Sequence, residues 1–161
     1  MNQAPVKGVL IDLDGVIWNG SRPIPGAGEA VRRMKEAGIK VRFVSNNSGR
    51  GVDGLYEHLI RFGVPAERDE VLAASEVLAR AIARKERRAT VYLIGSSAFR
   101  RELEAQGLRV IDEPEEIDYL ADFVVVSADR ELTWKKLTSA LRCLQKGAVF
   151  AAPNVDPVYP S

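Results

Sequence analysis

The sequence predicts an α/β protein built on largely parallel strands, and three observations carry that reading. Short apolar runs alternate with longer segments of helical period, glycines follow four of those segments, and two of the apolar runs end in acidic or small polar residues. Val9-Leu10-Ile11 reads as a buried strand ending in Asp12-Leu13-Asp14-Gly15. A helix is expected over 28–37, where Ala30, Val31 and Met34 recur at helical spacing and Arg32, Arg33, Lys35 and Glu36 face out. A second strand over 41–44 runs into Ser45-Asn46-Asn47-Ser48-Gly49, and Leu55, Leu59, Ile60 and Phe62 form one face of the next helix. A third helix is expected over 75–87, with Val77, Leu78, Ala81 and Ile82 inward. Its basic tail, Arg84-Lys85-Glu86-Arg87-Arg88, reads as solvated cations complementing the helix dipole.

A second series follows: strand 90–94, helix 97–106, strands 108–111 and 123–126, helix 133–146 and strand 149–152. Gly38, Gly63, Gly107 and Gly147 each follow a helical pattern, where a left-handed cap needs a residue without a β-carbon. The acidic stretch 112–118, with Pro114, reads as a loop or a short helical turn. The domain boundary falls near residue 75.

Composition narrows the function. With 161 residues and 46% apolar content the chain can build a buried core as one domain or two small ones. Lys and Arg number 23 against 22 Asp and Glu, a net charge of +1, which argues against nucleic acid or an anionic membrane as a partner. The one cysteine, Cys143, excludes an internal disulfide framework and reads as a small core residue beside Leu137, Leu141 and Leu144. No apolar run approaches the roughly 18 residues of a membrane span, and the first residues lack the pattern of a signal peptide, so a cytoplasmic location is expected.

The chemistry concentrates at two strand ends. Side chains alternate along a strand, so Asp12 and Asp14 are expected on one side and Leu13 on the other. Two carboxylates then share a small volume at the edge where open α/β sheets bind ligands. A cation between them or a retained proton relieves their repulsion. Mg²⁺ suits such a site, with Asp12 as a nucleophile on phosphorus and Asp14 as a proton donor to the leaving oxygen. The plain alternative is a strand end and a turn. The Ser45 loop weighs against that alternative: its hydroxyl and backbone N–H groups suit phosphate oxygens, and Gly49 and Gly51 allow close approach to a ligand.

Asp12-Leu13-Asp14-Gly15-Val16, Gly20, Ile24-Pro25-Gly26-Ala27 and Val44-Ser45-Asn46-Asn47-Ser48 together resemble the haloacid dehalogenase superfamily, in the branch of NagD-type, phosphoglycolate and 4-nitrophenyl phosphatases. The resemblance continues through Tyr92-Leu93-Ile94-Gly95, Asp122-Phe123-Val124-Val125-Val126, Asp129-Arg130-Glu131-Leu132-Thr133 and Asn154-Val155-Asp156-Pro157. It implies a Rossmann-like core, of which residues 1–74 are the first half, an inserted α/β cap over 75–152, and the start of a return to the core over 153–161. It implies that Asp12 is the nucleophile and a Mg²⁺ ligand, and that Asp14 is general acid then base, with its backbone carbonyl on the metal. Ser45 would bind the phosphoryl group through its hydroxyl and Asn46 through its backbone N–H. Small phosphorylated metabolites are the substrates this implies, and the cap is a possible surface for a homo-oligomer. Family members carry a lysine and a further acidic loop after the cap. Neither stands in residues 1–161, where Lys135, Lys136 and Lys146 belong to a cap helix and Asp156 lies outside the acidic motif. This polypeptide alone is therefore expected to be weak or inactive. The alternative of a different class is a non-catalytic binding module on the same fold, with two core strands that leave edges and apolar faces exposed.

Lesser candidates receive plain readings. His58 is expected at the surface or boundary of its helix, and Trp18 in packing rather than over the site. Asp129 and Arg130 divide between a surface pair in a turn and a role near the leaving group.

Overall fold

The computed structural model describes residues 5–113 and 120–156. Their contacts form two compact units: one takes Val52–Ala73 and the described residues up to Ser45, the other Asn46–Gly51 and the described residues of Ala74–Asp156.

The first unit opens with β1 (Gly8–Asp12) and a small hairpin of β2 (Trp18–Asn19) and β3 (Arg22–Pro23). There follow α1 (Ala27–Glu36), β4 (Lys40–Ser45), α2 (Gly51–Arg61) and, after a short 3₁₀ turn, β5 (Val71–Ala73). The sheet order is β1-β4-β5, all parallel. Period-two alternation turns Val9, Ile11, Val41, Phe43, Val71 and Ala73 toward Val31 of α1 and Val52, Leu55 and Leu59 of α2. Each fully buried Leu or Phe there contributes about 1.5–3 kcal/mol by leaving water. The opposite face carries Leu10, 74% exposed, with Arg42 and Leu72. β1 is thus half-buried, not the buried strand its apolar run suggested, because helices pack on one of its faces among the described residues. β5 adds a third strand where the sequence pattern showed two. Three residues are too few to display a period.

In the second unit α3 (Ala74–Lys85) leads to β6 (Thr90–Ile94), α4 (Ser97–Ala105), β7 (Arg109–Ile111), β8 (Phe123–Val126), α5 (Trp134–Gln145) and β9 (Val149–Ala151). The order β7-β6-β8-β9 is parallel throughout. The central strands bury both faces, hence their unbroken apolar runs. Val91, Leu93, Phe123 and Val125 meet Ala79, Ile82, Phe99 and Leu103 of α3 and α4. Tyr92, Ile94 and Val124 meet Ala140 and Cys143 of α5.

The inward faces of α3 and α5 differ from expectation. α3 buries Ser75, Ala79 and Ile82, leaving Val77 and Ala81 exposed. α5 buries Ser139, Ala140 and Cys143, while Trp134, Leu137 and Leu141 face out. On α5 these small side chains let the helix approach the sheet, where Tyr92 fills the space that larger helix residues would need. Gly38, Gly63, Gly107 and Gly147 have φ of 75°, 71°, 80° and 103° and end their helices in the left-handed region. Beyond α3 that conformation falls to Arg88, at φ 64°. Of the acidic stretch, residues 114–118 lie outside the described residues, and Asp112 pairs with Arg100 at 2.5 Å. No helix of the described residues is long and apolar enough to cross a membrane.

Candidate active site

β1 and β4 pair with Asp12 opposite Val44. The strand end bearing Asp12 and the one bearing Ser45 therefore lie side by side at the C-terminal edge of one sheet, where open α/β folds gather ligands. Asp12 is exposed, on the register face of Leu10, and its Oδ1 accepts the N–H of Leu13 at 2.7 Å. Ser45 is buried, on the face of Phe43.

Asp14 lies past the strand end, so strand alternation is not what places it. Leu13 plunges into the core and the chain turns: the N–H groups of Val16, Ile17 and Trp18 donate to the Leu13 carbonyl at 3.3, 2.9 and 3.2 Å. Gly15, at φ 83°, permits this turn, and its N–H donates to the Trp18 carbonyl at 2.7 Å. The result leaves Asp14 half-buried with its Oδ1 accepting the indole N–H of Trp18 at 2.9 Å. This hydrogen bond has no sequence signature, since the indole reaches back four residues only through that turn.

Trp18 is 2% exposed and packs edge-on to His58, with ring centroids 4.8 Å apart, and to Phe62 at 5.9 Å. His58 is itself 6% exposed and 4.3 Å from the Phe62 ring. The histidine expected at the surface or boundary of its helix is a core residue, because Leu55, His58 and Leu59 of α2, with Phe62 just beyond it, face inward, whereas Ile60, expected on that face, is 48% exposed.

The Ser45 loop divides in its contacts. The side-chain amide of Asn46 donates to Asp156 Oδ2 at 2.7 Å, so Asp156 serves as a partner of this loop. Asn47 Oδ1 accepts the N–H of Gly49 at 3.1 Å, and the hydroxyls of Ser48 and Ser127 meet at 2.5 Å. Gly51, at φ 65°, also has a packing reason: a β-carbon there would stand 3.0 Å from Glu102 Oε1 and 3.3 Å from the Ala98 β-carbon. Asp129 is no surface turn residue, its side chain being 7% exposed. Its Oδ2 accepts from Lys136 Nζ at 2.9 Å and its Oδ1 from the Glu131 N–H at 2.8 Å.

Among the described residues no group of three His, Cys, Asp or Glu side chains is arranged to hold a metal. Asp12 and Asp14 nevertheless offer hard oxygen donors at an open edge. That set fits Mg²⁺, which uses one or two carboxylates and completes its shell with water and substrate phosphate.

Residues 9–109 match the model of the haloacid dehalogenase-like hydrolase family. A 5'-nucleotidase of Bacillus subtilis is 37% identical over 155 residues, which cover 96% of this chain and 58% of that protein. An acid sugar phosphatase of Staphylococcus saprophyticus is 34% identical over 154 residues, again 96% of this chain and 58% of that protein. Among solved structures, a p-nitrophenyl phosphatase from Archaeoglobus fulgidus superposes with a TM-score of 0.87 at 39% identity, over 98% of this chain and 59% of that one. A glycerol phosphate phosphatase from Mycobacterium tuberculosis, solved in complex with magnesium, has a TM-score of 0.84 at 30% identity, over 97% of this chain and 46% of that one. The chain thus spans somewhat more than half the length of the nucleotidase and of the acid sugar phosphatase.

Proposed function

The chain belongs to the haloacid dehalogenase-like hydrolases, and from that premise we propose that the protein is a Mg²⁺-dependent phosphatase that hydrolyses small phosphomonoesters through an aspartyl-phosphate on Asp12. The observation that carries this reading is the register of β1 on β4, with a carboxylate and a hydroxyl at adjacent strand ends of one sheet. The phosphatase names of relatives and the magnesium in one of their structures support it.

In this reading Asp12 attacks phosphorus, the bond from phosphorus to the ester oxygen breaks, and Asp14 gives its proton to the departing oxygen. Asp14 then takes a proton from the water that attacks the aspartyl-phosphate, releasing inorganic phosphate and restoring Asp12. The Ser45 hydroxyl and the Asn46 backbone N–H donate to the phosphoryl oxygens, whose charge must be stabilised during transfer. Asp12, through its carboxylate, and Asp14, through its backbone carbonyl, would hold Mg²⁺, which when bound neutralises charge between phosphate and carboxylates. Residues 1–74 serve as the first half of the core, 75–152 as the cap and 153–161, of which 157–161 lie outside the described residues, as the start of a return to the core. The protein works in the cytoplasm.

Residues 1–161 alone are expected to turn over weakly or not at all, because two carboxylates and no clamping lysine leave much of the transition-state charge unbalanced. The test assays the full encoded protein with Mg²⁺ and a panel of phosphomonoesters beside Asp12→Asn. The variant is expected to lose at least about 10³-fold in kcat, the scale of losing a nucleophile. Unchanged turnover would remove Asp12 from that role.

A further inference from the structure

We propose that Trp18 is a positioning residue for Asp14: its indole N–H holds Oδ1, so that Oδ2 is the oxygen that hands over the proton in phosphoryl transfer. This rests on the general-acid role given to Asp14 above.

The indole nitrogen is a donor and never an acceptor. Whatever the state of Asp14, the oxygen facing Trp18 must therefore accept. In a carboxylic acid the carbonyl oxygen is the better acceptor, so Oδ1 takes that part and the hydrogen stands on Oδ2. The donor at 2.9 Å is fixed from several sides. Its ring is buried against His58 and Phe62. Its backbone N–H donates to Leu13 and its carbonyl accepts from Gly15, so the loop carrying Asp14 and the residue holding it are tied together twice. The β2–β3 ladder, with Trp18 opposite Pro23, secures the far side.

One phosphoryl transfer then balances as follows. Asp12 forms a bond to phosphorus, the ester bond breaks, the Oδ2 proton passes to the leaving oxygen, and Asp14 remains a carboxylate with Oδ1 still held. In hydrolysis Oδ2 takes up the proton of the attacking water. Without the indole, Asp14 could turn about its χ2 bond and either oxygen would carry the proton, out of line with the leaving group for part of the time. A buried indole N–H also needs a partner for stability alone, so the test must separate orientation from packing.

Leaving groups separate them. In the full encoded protein, kcat/KM covers the steps through transfer to Asp12. The 4-nitrophenolate ion departs without a proton, whereas an alkoxide needs one. Trp18→Phe keeps the packing and removes the donor. It is expected to lower kcat/KM about tenfold for a simple alkyl phosphate, a fraction of the ~10²–10⁴ that a general acid provides, with 4-nitrophenyl phosphate within about twofold. Asp14→Asn should show the same split more strongly. Equal losses on both substrates for Trp18→Phe, beside a split for Asp14→Asn, would overturn the positioning role and leave the general acid standing. No split for Asp14→Asn would instead overturn the general-acid reading. If Trp18→Phe fails to fold, the Trp18 indole N–H resonance decides: it should move markedly upfield in Asp14→Ala, and an unmoved resonance would overturn the hydrogen bond.

Discussion

Tyr92 is buried against α5, where its hydroxyl donates to the Lys136 carbonyl over a long 3.4 Å. Burial pushes its phenol up to about 12, opposed in part by a hydrogen bond with Ser139. The unfolded phenol ionises near its ordinary value of 10.0 while the folded one holds its proton to about 12. The stabilisation from burying a neutral phenol is therefore complete below pH 10 and is lost as pH rises toward 12. Cys143, raised by burial, and Lys136, raised by Asp129, act in the same direction, so the comparison needs a variant. Urea unfolding from pH 8 to 11 is expected to show Tyr92→Phe losing less stability with pH than the parent chain. Parallel curves would contradict a buried neutral phenol. At this scale the sequence was least informative. Cys143 in the core was legible from its chemistry. His58 was not, because one polar residue within an apolar stripe reads equally as its edge or its centre. The bond from Trp18 to Asp14 was hidden because it depends on the turn around Gly15 and on no local pattern.

Helix ends were the most legible elements, since their requirements are local. α4 and α5 start at Ser96 and Thr133, whose hydroxyls accept the N–H groups of Phe99 and Lys136 at 3.2 Å. Thr133→Ala removes one such cap and is expected to lower unfolding stability by about 1 kcal/mol. Because that cap also orients the turn from which Lys136 reaches Asp129, a loss below about 0.3 kcal/mol in urea unfolding would show the cap to be idle. The basic tail of α3 fits its reading as dipole complement: its Arg84, Arg87 and Arg88, with Arg80 a turn earlier, line a depression shared with Gln106 and Gly107 just past α4, so cations gather at two helix C-termini. On α3, Ile82 and Leu78 pack inward as expected, whereas Val77 turns outward; on α5 the large residues Leu137 and Leu141 turn outward and the small Ser139, Ala140 and Cys143 face Tyr92. β5 and the β2–β3 hairpin are too short to leave a period in the sequence.

For the whole molecule, the alternation of strands and helices specified two parallel α/β units, and membership of the hydrolase family followed from motifs at the strand ends of the first. The strand ends were legible because parallel pairing leaves little freedom: once β1 lies on β4, Asp12 stands beside the strand that delivers Ser45. What chemistry they perform rests on one covalent step, which can be observed directly. The full encoded protein, mixed with a ³²P-labelled phosphomonoester and Mg²⁺ and quenched in acid within the first turnover, should retain label on the peptide containing Asp12, and Asp12→Asn should retain none. Label on another residue, or single-turnover hydrolysis with no protein-bound phosphate at any quench time, would contradict the central claim.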